Sequence, residues 1–277
     1  MRSGRPERTP AGTSRGGAMD LLIDVGNSET VVGLGEPGGE ALAEHWRVST
    51  GVPRTADEWA LLLRQLLADA GLAPAGLRHA VLGSVVPAAT TGLRAGLERL
   101  GVRALVVDGA ARLPIRLEVD EPRTVGADRI VNTLAAKVRY GRDTVVVDLG
   151  TATTFDCITA DGVFVGGVIA PGVQAGLDWL ARRTAKLPRV EFAPPGSVVG
   201  RRTETCMQSG LFYGVVDAVD GIVRRIRATW EGRDPLVVAT GGYAELVGAH
   251  CDTVQVVEPF LTLHGLALAG EHMAAQT

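Results

Sequence analysis

Hydrophobic and polar positions along the chain change period several times, and the changes outline its elements. An apolar run from Leu21 to Ile23 ends at Asp24, Gly26 marks a tight turn, and apolar stretches return from Thr30 to Leu34 and from Ala41 to Val48. Short runs broken by a glycine turn predict a β-meander. Thr55 then opens a helix with Asp57 and Glu58 in its first turn, Leu61, Leu62, Leu66 and Leu67 on one face, and Gly71 at its end. A strand over Ala80 to Val85, a helix from Pro87 to Leu100 and a strand over Ala104 to Val107 follow.

The second half repeats this plan. A helix over Asp128 to Arg139 leads into the apolar strand Thr144 to Val147, which ends at Asp148; Gly150 supplies the turn, and strands follow at Thr153 to Thr159 and Val163 to Ile169. Helices are predicted over Gly172 to Ala181, Thr203 to Trp230, Ala244 to Gly248 and Leu261 to His272, with a strand at Leu236 to Ala239. Residues 186 to 202 contain Pro188, Pro194, Pro195 and Gly196 and read as a loop. Residues 1 to 18 are rich in Gly, Pro, Ser, Thr and Arg without apolar periodicity and read as a disordered tail.

Composition turns this pattern into a fold class. The chain has 277 residues, 46% of them hydrophobic and only 4% aromatic, with 36 glycines. That length supports two cores of ordinary size, and the bias toward small aliphatic residues and glycine suits parallel strands buried on both faces. An N-terminal lobe over residues 19–120 and a C-terminal lobe over 121–277 are expected. The net charge of −3 includes a basic tail, so the body is more acidic still, and no nucleic-acid surface is expected. The apolar runs are strand-sized, so no membrane span is expected either. Three scattered cysteines fit a reducing, cytoplasmic setting better than a disulfide framework, and no cysteine or histidine spacing suggests a metal site.

The chemistry is carried by a repeated signature. Asp24-Val25-Gly26-Asn27-Ser28-Glu29-Thr30 and Asp148-Leu149-Gly150-Thr151-Ala152-Thr153-Thr154 each place a carboxylate at the end of an apolar strand and a glycine two residues later, 124 positions apart. The glycine lets backbone N–H groups approach a phosphate, and Asn27, Ser28, Thr151 and Thr153 offer neutral donors. A carboxylate beside a phosphate is repulsive unless a cation lies between them, so Mg²⁺ is implied. The plainer reading is two hairpin turns in which each Asp caps its own backbone. A third turn, Thr240-Gly241-Gly242-Tyr243, follows an apolar strand and precedes a short helix, a usual meeting place of nucleotide and backbone. The order of two phosphate turns and an adenosine turn resembles the actin-like ATPases, whose two lobes are duplicated ribonuclease-H-like units. Between the phosphate turns, Gly126-Ala127-Asp128-Arg129 puts a proton acceptor and a fixed cation at a helix start. They can activate a hydroxyl and hold an anionic substrate, or form a helix cap with a surface ion pair.

The stretches Asp24 to Thr30, Val125 to Asn132, Asp148 to Asp156, Gly166 to Gly172, Lys186 to Val190, Met207 to Gly210 and Thr240 to Gly242, in this order and spacing, resemble the type III pantothenate kinases. The resemblance implies a homodimeric, cytoplasmic kinase that transfers phosphate from ATP to the 4'-hydroxyl of pantothenate, with Mg²⁺ and a monovalent cation, K⁺ or NH₄⁺. Carried over by position, Asp24, Val25, Gly26, Asn27, Ser28, Glu29, Thr30 and Val31 form the first ATP loop, and Thr151 binds ATP. Gly126, Ala127, Asp128 and Arg129 contact pantothenate, Asp128 is the general base, Asp148 holds the monovalent cation, and Thr203 reaches pantothenate from the partner subunit or the adjacent loop. Three positions depart from the family pattern: Glu29 replaces a small or neutral residue, Val119 a frequent Tyr, and Glu121 the usual Asn. A kinase for another small alcohol, and a non-catalytic accessory or regulatory relative, are the alternative readings.

Overall fold

The computed structural model describes residues 18–39, 41–183, 187–230 and 232–276. Most of the expected tail and Lys186 lie outside the described residues.

The chain builds two sheets by one recipe. In the first half, β1 (Met19–Val25), β2 (Glu29–Gly35) and β3 (Leu42–Ser49) form an antiparallel meander. After α1 (Ala56–Asp69), β4 (Leu77–Ser84) adds parallel to β1; after α2 (Pro87–Arg99), β5 (Ala104–Val107) adds parallel to β4. The sheet order is β3-β2-β1-β4-β5. A short β6 (Arg116–Leu117) and α3 (Ala127–Tyr140) precede the second meander, β7 (Thr144–Leu149), β8 (Ala152–Ile158) and β9 (Val163–Pro171). Two helices follow, α4 (Val173–Arg183) and the 27-residue α5 (Thr203–Thr229). Then β10 (Leu236–Thr240), α6 (Ala244–Gly248), β11 (Val256–Val257) and α7 (Leu261–Ala274) complete the chain. The second sheet runs β11-β10-β7-β8-β9-β6. With β1 to β5 matched to β7 to β11, the meander and the two parallel additions coincide, and among the described residues β6 is the one extra strand.

Local chemistry explains the boundaries. Thr55 caps α1 by accepting from Glu58 N at 3.3 Å, and Glu58 Oε2 accepts from Thr55 N at 2.7 Å, a reciprocal capping box. The central strands β1 and β7 are almost wholly buried, as strands flanked on both sides and covered on both faces must be, whereas the outer part of β9 alternates between exposed and half-buried positions. Two 2-residue strands, β6 and β11, lie beyond the reach of sequence periodicity, which needs several residues to register.

Four apolar clusters cover the four sheet faces. One face of the first sheet packs on α1 and α2 around Ile23, Trp59, Leu63 and Leu97. The corresponding face of the second sheet packs on α5 and α6 around Val147, Phe155, Phe212 and Val223. The remaining faces meet α3 and α7, through Leu22, Val81, Ile130, Leu134 and Leu266 on one side and Ala135, Val146, Phe164 and Leu261 on the other. A Cβ on Gly265 of α7 would fall under 3.0 Å from the Val131 backbone of α3, so the two helices cross at a distance only glycine permits. This pair carries the N-terminus of α3 to the ends of both central strands.

Candidate active site

Asp24 and Asp148 occupy equivalent places. Each is the penultimate residue of its central strand, flanked by an antiparallel partner (Val31 or Thr154) and a parallel one (Gly83 or Thr240). Beyond each, the chain folds tightly: Gly26 N donates to Glu29 O at 3.0 Å, and Gly150 N donates to Ala152 O at 3.1 Å. The two turns face one another across the cleft, where Thr151 Oγ1 lies 2.9 Å from Ser28 Oγ. The third turn closes against the second. Gly241 has φ +91°, and a Cβ there would come under 3.0 Å from Asp148 Oδ1 and the Leu149 backbone, so both conformation and space demand glycine.

Into the same cleft points the start of α3. Gly126 is its N-cap residue, with extended φ −60° and ψ 147°. Asp128 Oδ1 accepts from Arg129 N at 2.8 Å, which fixes the carboxylate above the helix end. Arg129 is engaged elsewhere: its Nε donates to buried Asp156 at 2.6 Å, and its guanidinium stacks on Phe164 at 4.8 Å. Gly167 lies against this guanidinium with no room for a side chain.

Crowded, buried carboxylates dominate the electrostatics of the cleft. Burial, then the charges of Asp128 and Asp148, push the Asp24 carboxyl up to about 8, against a pull from Arg47. Asp148 is pushed up to about 7 by burial, then by Asp128 and Asp156; the Asn132 amide and Arg47 pull the other way. Asn132 is oriented by Thr262, whose Oγ1 donates to its Oδ1 at 3.0 Å, although its Nδ2 completes no well-formed hydrogen bond. Both carboxylates keep some surface open to the cleft, and positive charge placed beside them would relieve this crowding. Asp156 is raised to about 6, because its burial outweighs the opposing Arg129 charge and hydrogen bond.

Asp24, Gly26, Asn27, Ser28, Glu29, Val31, Asp128, Asp148 and Thr151 all line one cleft of about 590 Å³. Val25 and Thr30 are buried in the strand pairing beneath it, Thr30 Oγ1 sharing a hydrogen bond with Thr50 Oγ1 at 2.8 Å. Gly126, Ala127 and Arg129 stand behind Asp128, outside that lining. Thr203 is exposed at the start of α5 and does not reach the cleft within one chain. Thr153, expected as a donor, is buried in the sheet; strand alternation gives the cleft Thr154 instead. Tyr243 lines the cleft with Gly241 and Gly242 of the expected third turn, whereas sequence reasoning missed Arg47, Gln174, Phe260 and Thr262, which reach it from elements without a motif. A more open depression of about 660 Å³ between α2 and β5, near Arg94 and Arg103, gathers no comparable set of groups.

A family model of type III pantothenate kinases matches residues 20–225, from β1 to within α5. The chain belongs to the type III pantothenate kinase family. It is 43% identical over 251 residues to a type III pantothenate kinase of Halalkalibacterium halodurans, covering 90% of this chain and 98% of that one. It is 46% identical over 258 residues to that of Anaeromyxobacter dehalogenans, covering 91% and 99%. Among solved structures it is similar to the activator of the 2-hydroxyisocaproyl-CoA dehydratase from Clostridium difficile with bound ADPNP. That likeness has a TM-score of 0.55 at 13% identity and covers 93% of this chain and 95% of the other. Component A of the Acidaminococcus fermentans (R)-2-hydroxyglutaryl-CoA dehydratase gives 0.54 at 14%, covering 94% and 98%. At such identities the likeness speaks for fold alone, and the fold of this chain is the duplicated actin-like ATPase fold read from the repeated turns. Against that pattern, Val119 packs beside the Phe164 cluster, and Glu121 is exposed on a short turn where its carbonyl accepts from Thr124. Among the described residues no helix is long and apolar enough to cross a membrane.

Proposed function

We propose that this protein transfers the γ-phosphoryl group of ATP to the 4'-hydroxyl of pantothenate, the first step of coenzyme A biosynthesis. The observation that carries the reading is the convergence of Asp24, Asp128 and Asp148 on one cleft between two facing phosphate turns. In our assignment Asp24 to Val31 and Thr151 hold the nucleotide, while Gly126, Ala127, Asp128 and Arg129 receive pantothenate. Asp128 accepts the hydroxyl proton as the oxygen attacks phosphorus in line. Its hydrogen bond from Arg129 N holds the acceptor in place, and little further covalent chemistry is required of the protein.

The donor set fits cations. We assign Mg²⁺ to Asp24 and a monovalent ion, K⁺ or NH₄⁺, to Asp148; both carboxylates line the cleft, where like charge crowds them and a cation would neutralise it. Among the described residues no three His, Cys, Asp or Glu side chains form a metal cage, which agrees with ions held by a carboxylate or two together with water and phosphate oxygens. When bound, the cations neutralise charge on the phosphates. We place the enzyme in the cytoplasm and assign it a homodimeric state in which Thr203 completes the partner's pantothenate site. The exposed Trp179, Val198 and Val199, on α4 and the loop leading to α5, support such a contact.

The test is ADP release by the pure protein with ATP, Mg²⁺, K⁺ and pantothenate, each omitted in turn. Turnover requiring all four is expected; ADP release independent of pantothenate, or none at all, would overturn the assignment.

A further inference from the structure

The cleft has an uneven charge balance. Its lining carries the carboxylates Asp24, Glu29, Asp128 and Asp148, but Arg47 is its one cationic side chain among the described residues. Arg47 belongs to the edge strand β3, opposite Val31, which lines the same cleft. From there the guanidinium reaches over the gap between the lobes: its Nη1 donates to Glu29 Oε2 at 3.1 Å and would sit 3.5 Å from a Cβ placed on Gly242. It thus stands between the first phosphate turn and the third glycine turn, and its charge is felt at both Asp24 and Asp148.

We propose that Arg47 is a phosphate ligand of the bound nucleotide, and that Glu29 is the counter-ion it exchanges for phosphate when nucleotide enters. A planar guanidinium with five donors matches phosphate oxygens better than the neutral Asn27, Ser28 and Thr151 groups around it. Its present bond is easily given up, since the two side chains are 38% and 55% exposed and a pair so placed contributes little stability. Glu29 therefore has two effects. It keeps Arg47 over the cleft in the absence of nucleotide, and it competes with the phosphates for the same donors. The charge at position 29 is thus paired by Arg47 until nucleotide enters and opposes the phosphates afterwards.

This inference rests on the nucleotide reading of the cleft, so the experiment measures binding without pantothenate. Isothermal titration of Mg²⁺-ADP and of a β,γ-imido ATP analogue compares wild type with Arg47→Ala, Arg47→Lys, Glu29→Gln and the Arg47→Ala/Glu29→Gln double variant. Arg47→Ala is expected to weaken binding about 10- to 100-fold, the range of a hydrogen bond to a charged group, and Arg47→Lys by less. The KM for pantothenate should stay within about twofold, because Arg47 acts on the nucleotide's binding energy rather than on pantothenate's. Glu29→Gln should tighten binding, and that gain should vanish in the Arg47→Ala background because Glu29 acts through Arg47. Thermal melts of all variants identify any loss of fold, and Arg47→Lys keeps the edge strand's charge and stem. Binding by folded Arg47→Ala equal to wild type, or an equal gain from Glu29→Gln in both backgrounds, overturns the role of Arg47. A wild-type protein that binds neither nucleotide overturns the reading of the cleft itself.

Discussion

Replacing Gly126 by alanine isolates the position of Asp128 from the fold. The backbone at Gly126, φ −60° and ψ 147°, is open to alanine, so the substitution adds no conformational strain. What it adds is a Cβ closer than 3.0 Å to Asp128 Oδ1 and 3.3 Å from Val85 Cγ1. The carboxylate must retreat by roughly half an ångström or more to reach even a tight van der Waals contact, and it cannot do so without stretching its 2.8 Å bond from Arg129 N. Misplacing a reacting group by about 1 Å costs on the order of 10²-fold in rate, so kcat should fall about 10- to 100-fold. Stability should hardly move: alanine at an N-cap costs up to about 1 kcal/mol relative to glycine, and the lost freedom of the unfolded chain returns about 0.4–1 kcal/mol. Coupled ADP release at saturating substrates gives kcat, nucleotide titration shows whether the phosphate turns are intact, and a thermal melt reports the fold. A folded Gly126→Ala enzyme with wild-type kcat would refute the placement of Asp128 at the reacting hydroxyl.

Asp128→Asn keeps the shape but removes the proton acceptor, and kcat should drop about 10²- to 10⁴-fold with ATP binding nearly intact; wild-type turnover would exclude Asp128 as the base. In the ligand-free protein the folded pKa values of Asp24 and Asp148, about 8 and about 7, lie above the ordinary 3.8, so the folded state holds protons that the unfolded chain has released. Their contribution to stability is present below pH 3.8 and is lost as pH rises through 7 and 8. Because cations bind the charged form, the rise in Tm on adding Mg²⁺ and K⁺ should be larger at pH 8.5 than at pH 5.5, and an equal rise at both would contradict the crowded-carboxylate account. Away from the site, buried Asp220 of α5 accepts from Asp252 N at 3.0 Å and from Thr253 N and Oγ1 at 2.9 and 2.6 Å. Asp220→Ala leaves these donors unpaired and should cost about 2–4 kcal/mol in urea unfolding; a loss under about 1 kcal/mol would show that the loop re-satisfies them.

What was legible in the sequence is what depends on neighbours along the chain. The helix beginning at Thr55, the strands ending at Asp24 and Asp148 and the long helix from Thr203 fall where periodicity and capping place them, within a residue or two at their ends. Pairing between distant segments was less visible. Nothing at Arg116–Leu117 announces a strand, because the pairing that makes it one is supplied by β9. Nothing in Leu261–Ala274 says that it lies on α3, since apolar residues all around a helix mark burial without naming the partner. The site divides in the same way. Residues on glycine turns carried a signal because the turn itself demands particular residue types, whereas Arg47, Gln174 and Phe260 reach the cleft only through the folding of sheets and helices around it.

The duplication also sets a limit on its own symmetry. Topology gives Asp24 and Asp148 the same strand position, the same turn and the same kind of partners, so any difference in their roles must come from what the lobes add around them. Near Asp148 those additions are Asn132, oriented by Thr262, and the Gly241 turn pressed against its Oδ1. Beside Asp24 they are the exposed Ser28 and Glu29, while the charges of Asp128 and Arg47 act on both carboxylates. A carboxylate enclosed by backbone and a neutral amide suits one partly dehydrated monovalent ion. A carboxylate beside the exposed residues of a turn suits an ion that keeps its waters and shares a polyphosphate, as Mg²⁺ does. In the assignment proposed above, the unequal cation roles would thus come from the surroundings of two equivalent strand ends, and exchanging those surroundings, rather than the aspartates, is what would exchange the roles.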